Sequence, residues 1–303
     1  MFRESVLRLG THPAVAGAIK RYGRQLGADR FVAGETIDDV VAVSRDLNKR
    51  GIKVTVDHLG ESVSNPRDAD NARESYLSLL EQLHAHQIDG NVSLKLTMMG
   101  LLIDPRLAQE NVGAIVGRAA GLHTFVRIDM EDTPVTDLTI KTYEMLWERH
   151  PLAVGLVLQA YLYRTHDDLL RLSDVSRNFR IVKGAYHEPP SVAFPAKPDV
   201  DENYFQLVVQ SLTAGHYTAI ATHDSQLIDR ILDWITQNRV ARSQFEFQML
   251  YGISMTLLEK LARQGYTTRV YVPYGQDWYA YFVRRIAERP ANLLFFTKAL
   301  LSR

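Results

Sequence analysis

The chain has 303 residues, 46% hydrophobic and 23% charged, enough for a large core beneath a mixed surface and a normal length for one α/β barrel. Lys plus Arg and Asp plus Glu both number 35, so no excess of positive charge exists to neutralise the phosphates of a nucleic acid. With no cysteine, a disulfide framework, a zinc–thiolate site and a cysteine nucleophile are excluded, and a reducing compartment fits.

The first residues, MFRESVLRLGTHPAVAGAIKRYG, lack the apolar stretch and cleavage site of a signal peptide. No apolar run approaches the ~20 residues needed to cross a bilayer. The expectation is a soluble or peripheral protein, in the cytoplasm or at the inner face of the membrane. Residues 1–34 read as an N-terminal helical extension, and residues 35–303 as the catalytic domain. A helix over Thr36–Arg50 starts with Thr36 and Asp39 spaced as a capping box and stops at Gly51.

Eight β-rich runs follow: Lys53–Leu59, Asn91–Thr97, Thr124–Glu131, Gly155–Tyr161, Arg180–Tyr186, Thr218–Asp224, Phe245–Leu250 and Thr268–Gly275. Most are near-continuously apolar at their centres, as expected for parallel strands covered on both faces. Helix-period segments separate them, at Arg67–His86, Asp137–Arg149, Asn203–Ala214 and Ser225–Gln237, the last with Ser225 placed to cap it. Successive strands start about 30 residues apart, the size of one βα unit. Eight units without a large gap predict a closed (βα)8 TIM-type barrel.

Active sites of such barrels lie at the carboxyl ends of the strands. Those ends offer Asp57 and Glu61, Lys95, Asp129 with Glu131, Gln159, Arg180 with Lys183, Thr222 with His223, Gln248, and Tyr271. Polar loop ends are ordinary, but lysines within LKL and VKG and an aspartate within RID need partners. Converging from different strands, they would partner one another around one pocket. Lys95 and Lys183 alone also admit a Schiff-base aldolase. After the last strand, Asp277–Glu288 reads as a helix carrying Arg284 and Arg285. Glu288 stands within one turn of both, so the arginines form either an exposed helix pair or a carboxylate clamp.

KLT at Lys95, RIDME at Asp129, QAY at Gln159, RIVKGAY at Arg180, ATHD at Thr222, FQMLYG at Gln248 and VYVPYG…YFVRRIAE together resemble the proline dehydrogenase family. Each motif is weak alone; the ordered set, spanning nearly the whole barrel, is specific. The length is similar to that of the stand-alone bacterial type.

The resemblance implies non-covalent FAD in a distorted (βα)8 barrel whose last helix lies over the strand ends. It implies hydride transfer from C5 of L-proline to flavin N5, giving Δ1-pyrroline-5-carboxylate, with a membrane quinone as electron acceptor. Asp129 and Arg180 would be the active-site charges, Arg180 near N5. Lys95, Arg284 and Arg285 would hold the proline carboxylate, with Tyr271, Leu250, Ala185 and Tyr186 around the ring. Met130, Gln159, Lys183, Gly184, Ala185, Thr222 and His223 would contact FAD. Glu61 would pair with Arg284 as a gate, since the loops after the first and eighth strands of a closed barrel are neighbours. Tyr271 favours proline over hydroxyproline, because the sister enzymes carry a smaller polar residue there. No GxGxxG opens a strand–helix unit, so a Rossmann-type FAD site is not indicated. A folate-reducing flavin barrel, the strand-lysine aldolase and a catalytically silent binding protein are the alternatives. The tail NLLFFTKALLSR has an apolar side that is expected to pack on the barrel, with contact to lipid as the alternative.

Overall fold

The computed structural model describes residues 28–60 and 62–288, except for the side chains of 284 and 286–288. Eight parallel strands close into a barrel in sequence order: β1 (Lys53–His58), β2 (Gly90–Leu94), β3 (Val126–Ile128), β4 (Val154–Gln159), β5 (Asn178–Val182), β6 (Tyr217–Ala221), β7 (Phe245–Leu250) and β8 (Thr268–Tyr274). β1 pairs with both β2 and β8, which closes the ring. Around it run α1 (Ile37–Lys49), α2 (Pro66–Ala85), α3 (Pro105–Gly121), α4 (Thr133–Arg149), α5 (Thr165–Arg171), α6 (Lys197–Thr213), α7 (Ser225–Gln237), α8 (Met255–Arg263) and α9 (Trp278–Glu288). The expected α/β barrel is the observed one.

Local chemistry sets the helix starts. Thr36 accepts from the Asp39 amide at 3.2 Å, and Asp39 accepts from the Thr36 amide at 3.0 Å, so the capping box holds with Asp in place of Glu. At α7, Asp224 and not Ser225 is the cap: its carboxylate accepts from the Leu227 amide at 3.3 Å, and Ser225 is the first helical residue. A carboxylate at a helix N-terminus also meets the positive end of the helix dipole. α4 and α6 begin earlier than the apolar spacing predicts because Pro134 and Pro198 sit in their first turns, where a missing N–H costs nothing. α3, α5 and α8, which the spacing does not single out, complete the ring.

The strands differ from the near-continuous apolar runs expected. Val54, Val56, Val92, Leu94, Phe245 and Phe247 are fully buried in the main core. The residues between them, Thr55, Asp57, Ser93, Glu246 and Gln248, are equally buried but polar: Gln248 donates to Glu246, Thr55 and Ser93 accept from Arg180, and Asp57 pairs with Lys95. The period is therefore two: apolar side chains face the helices and polar ones fill the barrel.

The last helix lies over the strand ends. Trp278, Tyr281 and Phe282 of α9 form a second core with Ala28, Phe31, Val32, Leu59 after β1 and Ile253 after β7, and Leu250 packs against it. Ala28–Arg30 form a 3-10 turn, and the Ala33 amide donates to Pro273 O at 2.9 Å, so residues 28–34 are tied to β8. The rest of the proposed 1–34 extension, and the tail, lie outside the described residues.

Phe282 is 1% exposed, with its ring 6.2 Å from Phe31 and 5.7 Å from Trp278. Truncation there removes the ring that holds α9 to the barrel. Phe282→Ala is expected to lower the unfolding free energy by about 3 kcal/mol or more in chemical denaturation; a loss below about 1 kcal/mol would mean that α9 does not depend on this contact.

Candidate active site

The inward residues of six strands make one connected polar cluster. Asp57 of β1 is 2% exposed and lies 3.3 Å from Lys95 Nζ. Lys95 in turn lies 3.6 Å from Asp129 Oδ2. The other oxygen, Asp129 Oδ1, accepts from Arg180 Nη1 at 2.9 Å and from Ser93 Oγ at 2.7 Å. Tyr271 of β8 donates its hydroxyl to Asp129 Oδ2 at 3.0 Å, and the Arg180 guanidinium lies 5.4 Å from the centre of its ring. Lys95 and Asp129 each lie one residue past the last residue of their strand, and so does Lys183. Arg180, Gln248 and Tyr271 sit within theirs, below the mouth.

The charges hold each other in place. Burial opposes ionisation of Asp129, but Lys95, Arg180 and hydrogen bonds from Ser93 and Tyr271 outweigh it and hold its carboxyl below the usual carboxylate range. For Asp57, burial dominates and pushes its carboxyl up, against the pull of Lys95. Burial would lower the Lys95 pKa, yet Asp57 and Asp129 together raise it above the usual lysine value. Burial and the two aspartates keep the Tyr271 phenol protonated, so it remains a donor.

This arrangement opposes the aldolase alternative. A Schiff-base lysine must be neutral to attack a carbonyl, and Lys95 is held as an ammonium by two carboxylates. Lys183 is likewise paired, with Asp201 and with Asp224 at 3.1 Å.

The remaining expected residues form a rim over β3 to β7. Gln159 donates to Glu131 O at 2.7 Å, while Glu131 is fixed by the Thr97 amide and hydroxyl at 3.0 and 2.6 Å. Gln159 Oε1 is buried without a hydrogen-bond partner among the described residues. Gly184 has φ +120°, and a Cβ there would come within 2.3 Å of the Tyr161 ring, so glycine alone fits. Gly184 and Ala185 are exposed at the β5 tip, and Tyr186 is near enough to Lys95 to act on its charge. His223 Nε2 accepts from the Leu250 amide at 2.9 Å, which ties the β6 and β7 tips and puts any single ring proton on Nδ1. Thr222 is buried and accepts from the Asp224 amide at 3.2 Å. Met130 is buried in the main core, which leaves a cofactor contact to its main chain.

Leu250 is half-buried at the end of β7. Arg285 is 9% exposed with its guanidinium 5.0 Å from the centre of the Tyr281 ring. Glu61 and the side chains of Arg284 and Glu288 lie outside the described residues, so the gate and the Arg–Glu helix pairs do too.

Beneath this cluster is a lower layer that the motif reading left out. Glu246 is gripped by Arg269 through Nε at 2.7 Å and Nη2 at 3.0 Å, and by the Tyr217 hydroxyl at 2.9 Å. Arg127, fully buried, donates to the carbonyl oxygens of Asn178 at 2.8 Å and Leu156 at 3.3 Å. Gly155 makes room for it: a Cβ would lie 2.5 Å from Arg127 Nη1. Alternation in KVTVD, NVSLK and FEFQ was the available signal for Thr55, Ser93 and Glu246.

The Glu246 pair has a pH consequence. Burial disfavours the Glu246 charge, but Arg269 outweighs it and brings the folded pKa to about 2, against an ordinary 4.5. Its stabilisation is therefore complete above pH 4.5 and is lost as the pH falls toward 2. Glu246→Gln is expected to be less stable than the parent near neutral pH by on the order of 3 kcal/mol, with the gap narrowing by about pH 3. Denaturant titrations at both pH values check this; a gap independent of pH would mean that the carboxylate charge contributes nothing.

Comparison with known proteins agrees with this geometry. The proline dehydrogenase family model matches residues 40–298. The chain is 41% identical to proline dehydrogenase 1 of Bacillus subtilis subsp. natto over 303 residues, all of both chains. It is also 41% identical to the proline dehydrogenase of Deinococcus radiodurans, covering 99% of this chain and 98% of that one. Among solved structures, proline utilization A from Bdellovibrio bacteriovorus shares the fold, with a TM-score of 0.82 and 24% identity over 91% of this chain and 34% of that one. By sequence over its whole length, this chain belongs to the proline dehydrogenase family.

Proposed function

We propose that the chain oxidises L-proline to Δ1-pyrroline-5-carboxylate with FAD as its cofactor and a membrane quinone as the final acceptor, the first step of proline catabolism. One observation carries the reading. Lys95, Asp129, Arg180 and Tyr271 arrive from four different strands and bond to one another at and just below the barrel mouth. A zwitterionic amino acid needs cations for its carboxylate and an apolar wall for its ring. Lys95 is a fixed cation, Arg285 of α9 adds a second, and Tyr271 and Leu250 supply the wall.

The residues present fit FAD. The rim over β4 to β6 offers Gln159 Oε1, a buried acceptor without a partner among the described residues, and an exposed tip at Gly184 and Ala185. Lys183, Thr222 and His223 add side chains from adjacent strands, and Met130 its main chain. FAD, when bound, supplies a two-electron acceptor for the hydride leaving proline C5. Arg180 stands where a fixed cation stabilises negative charge developing above it. Asp129 holds Arg180 and Lys95 apart and in register. No helix among the described residues is long and apolar enough to cross a membrane.

Purified protein is expected to be yellow, and anaerobic L-proline to bleach its flavin absorbance. A protein reconstituted with FAD whose spectrum does not respond to proline would overturn the reading. Arg285→Met is expected to raise KM for proline about tenfold or more while flavin stays bound, since losing a charged hydrogen-bond partner costs ~1.5–3 kcal/mol. Steady-state kinetics beside the flavin-to-protein absorbance ratio would check this, and an unchanged KM would remove Arg285 from the carboxylate site.

A further inference from the structure

Gln248 lies 3% exposed inside the barrel, between the upper and lower charge layers. Its Oε1 accepts from Arg180 Nε at 2.6 Å, and its Nε2 donates to Glu246 Oε1. An amide can turn over and exchange oxygen for nitrogen with little change of shape. Here neither end permits it. Arg180 can only donate, so it requires the oxygen; an ionised Glu246 can only accept, so it requires the nitrogen.

Glu246 is itself fixed. Arg269 grips both its oxygens, Tyr217 donates to Oε2, and the third Arg269 nitrogen donates to Val54 O at 2.9 Å. The Arg180 guanidinium is thus held from two directions. Asp129, Ser93 and Thr55 take Nη1 and Nη2, while Gln248 takes Nε from below. A planar guanidinium bound at all three nitrogens cannot rotate about its own axis.

We infer that Glu246 is a positioning residue for Arg180, acting through Gln248 from the lower layer of the barrel and so fixing the plane in which Arg180 meets the flavin. The inference rests on the reading that Arg180 stands beside the flavin. A glutamine at 246 could not serve as Glu246 does. One of its two positions would carry an NH2 facing an Arg269 nitrogen, and the same NH2 could turn the Gln248 amide over. Arg180 Nε would then face a donor.

The test uses the FAD-loaded protein with Glu246→Gln, Gln248→Met, the double variant and Arg180→Lys. The readouts are the limiting rate of flavin reduction at saturating proline, KM, and the flavin midpoint potential. Glu246→Gln and Gln248→Met are each expected to slow reduction about tenfold, as loss of a hydrogen bond to a charged group does. Each should move the potential to more negative values and leave KM within about twofold. The double variant should be no slower than either single one, because both break the same chain of contacts. Should Glu246→Gln fail to fold, Gln248→Met, which keeps the Glu246–Arg269 pair, carries the test alone. Unchanged rate and potential in Gln248→Met, while Arg180→Lys alters both, would overturn the relay and leave the reading of Arg180 intact. Strictly additive effects in the double variant would also overturn the relay. Unchanged rate and potential in Arg180→Lys would overturn the reading of Arg180 and the relay with it.

Discussion

Charge placed inside a closed barrel must be neutralised by other charge or by hydrogen bonds, and this constraint organises the interior of the molecule. A lone buried ion costs several kcal/mol even after relaxation. The interior answers with alternating signs. Asp57 meets Lys95, Lys95 meets Asp129, Asp129 meets Arg180, and in the lower layer Glu246 meets Arg269. Arg127 is the exception. Its contacts are neutral oxygens of Leu156 and Asn178, and burial followed by the charge of Arg180 brings its pKa down to about 9.

Such a network contributes little net stability, because the attraction between buried ions is largely offset by the loss of their hydration. Stability comes from the other face of the same strands. Val54, Val56, Leu94, Ile128, Phe179 and Phe247 are fully buried beneath the helices, where apolar burial is favourable at roughly 25 cal/mol per Å². The two faces have separate tasks: outward residues hold the barrel together, and inward residues fix one arrangement of charge. Breaking one member of the inner set is costly because its former partners remain buried and ionised.

The same division explains what the sequence revealed. Strand number, barrel closure, the α1 capping box and the strand-tip residues Lys95, Asp129 and Lys183 were legible because each has a local signature. The polar inner face was less so. In FEFQML the apolar Phe245, Phe247 and Met249 dominate a window average, and the run reads as continuously buried. Gln248 stands out at the strand end, but only strict alternation separates Glu246 from a core strand. The lower layer was hidden for a further reason. Arg269, Glu246 and Arg127 stand near the starts of their strands, away from the end where barrel chemistry is sought. Their partners lie on other strands, so no spacing along the chain brings them together. The cap at Asp224 was missed because Ser225, beside it, is an equally good capping residue and only backbone geometry chooses between them.

The two strand-tip lysines show how far residue type alone can mislead. A lysine at the end of a barrel strand suits two chemistries: a neutral amine that forms a Schiff base, or a fixed cation that binds an anion. The choice depends on what surrounds the nitrogen. A neutral amine at physiological pH needs an apolar pocket or a neighbouring cation to depress its pKa. Lys95 is flanked by Asp57 and Asp129, and Lys183 by Asp201 and Asp224. Two carboxylates beside Lys95 favour its charged form, and Lys183 is ion-paired twice. Lys95 is also held from both sides, so its charge stays at one point of the mouth. That suits orientation of a substrate carboxylate, and it leaves covalent chemistry at the nitrogen strongly disfavoured. The carboxylates around the lysines, more than the lysines themselves, separate a dehydrogenase from an aldolase on this fold.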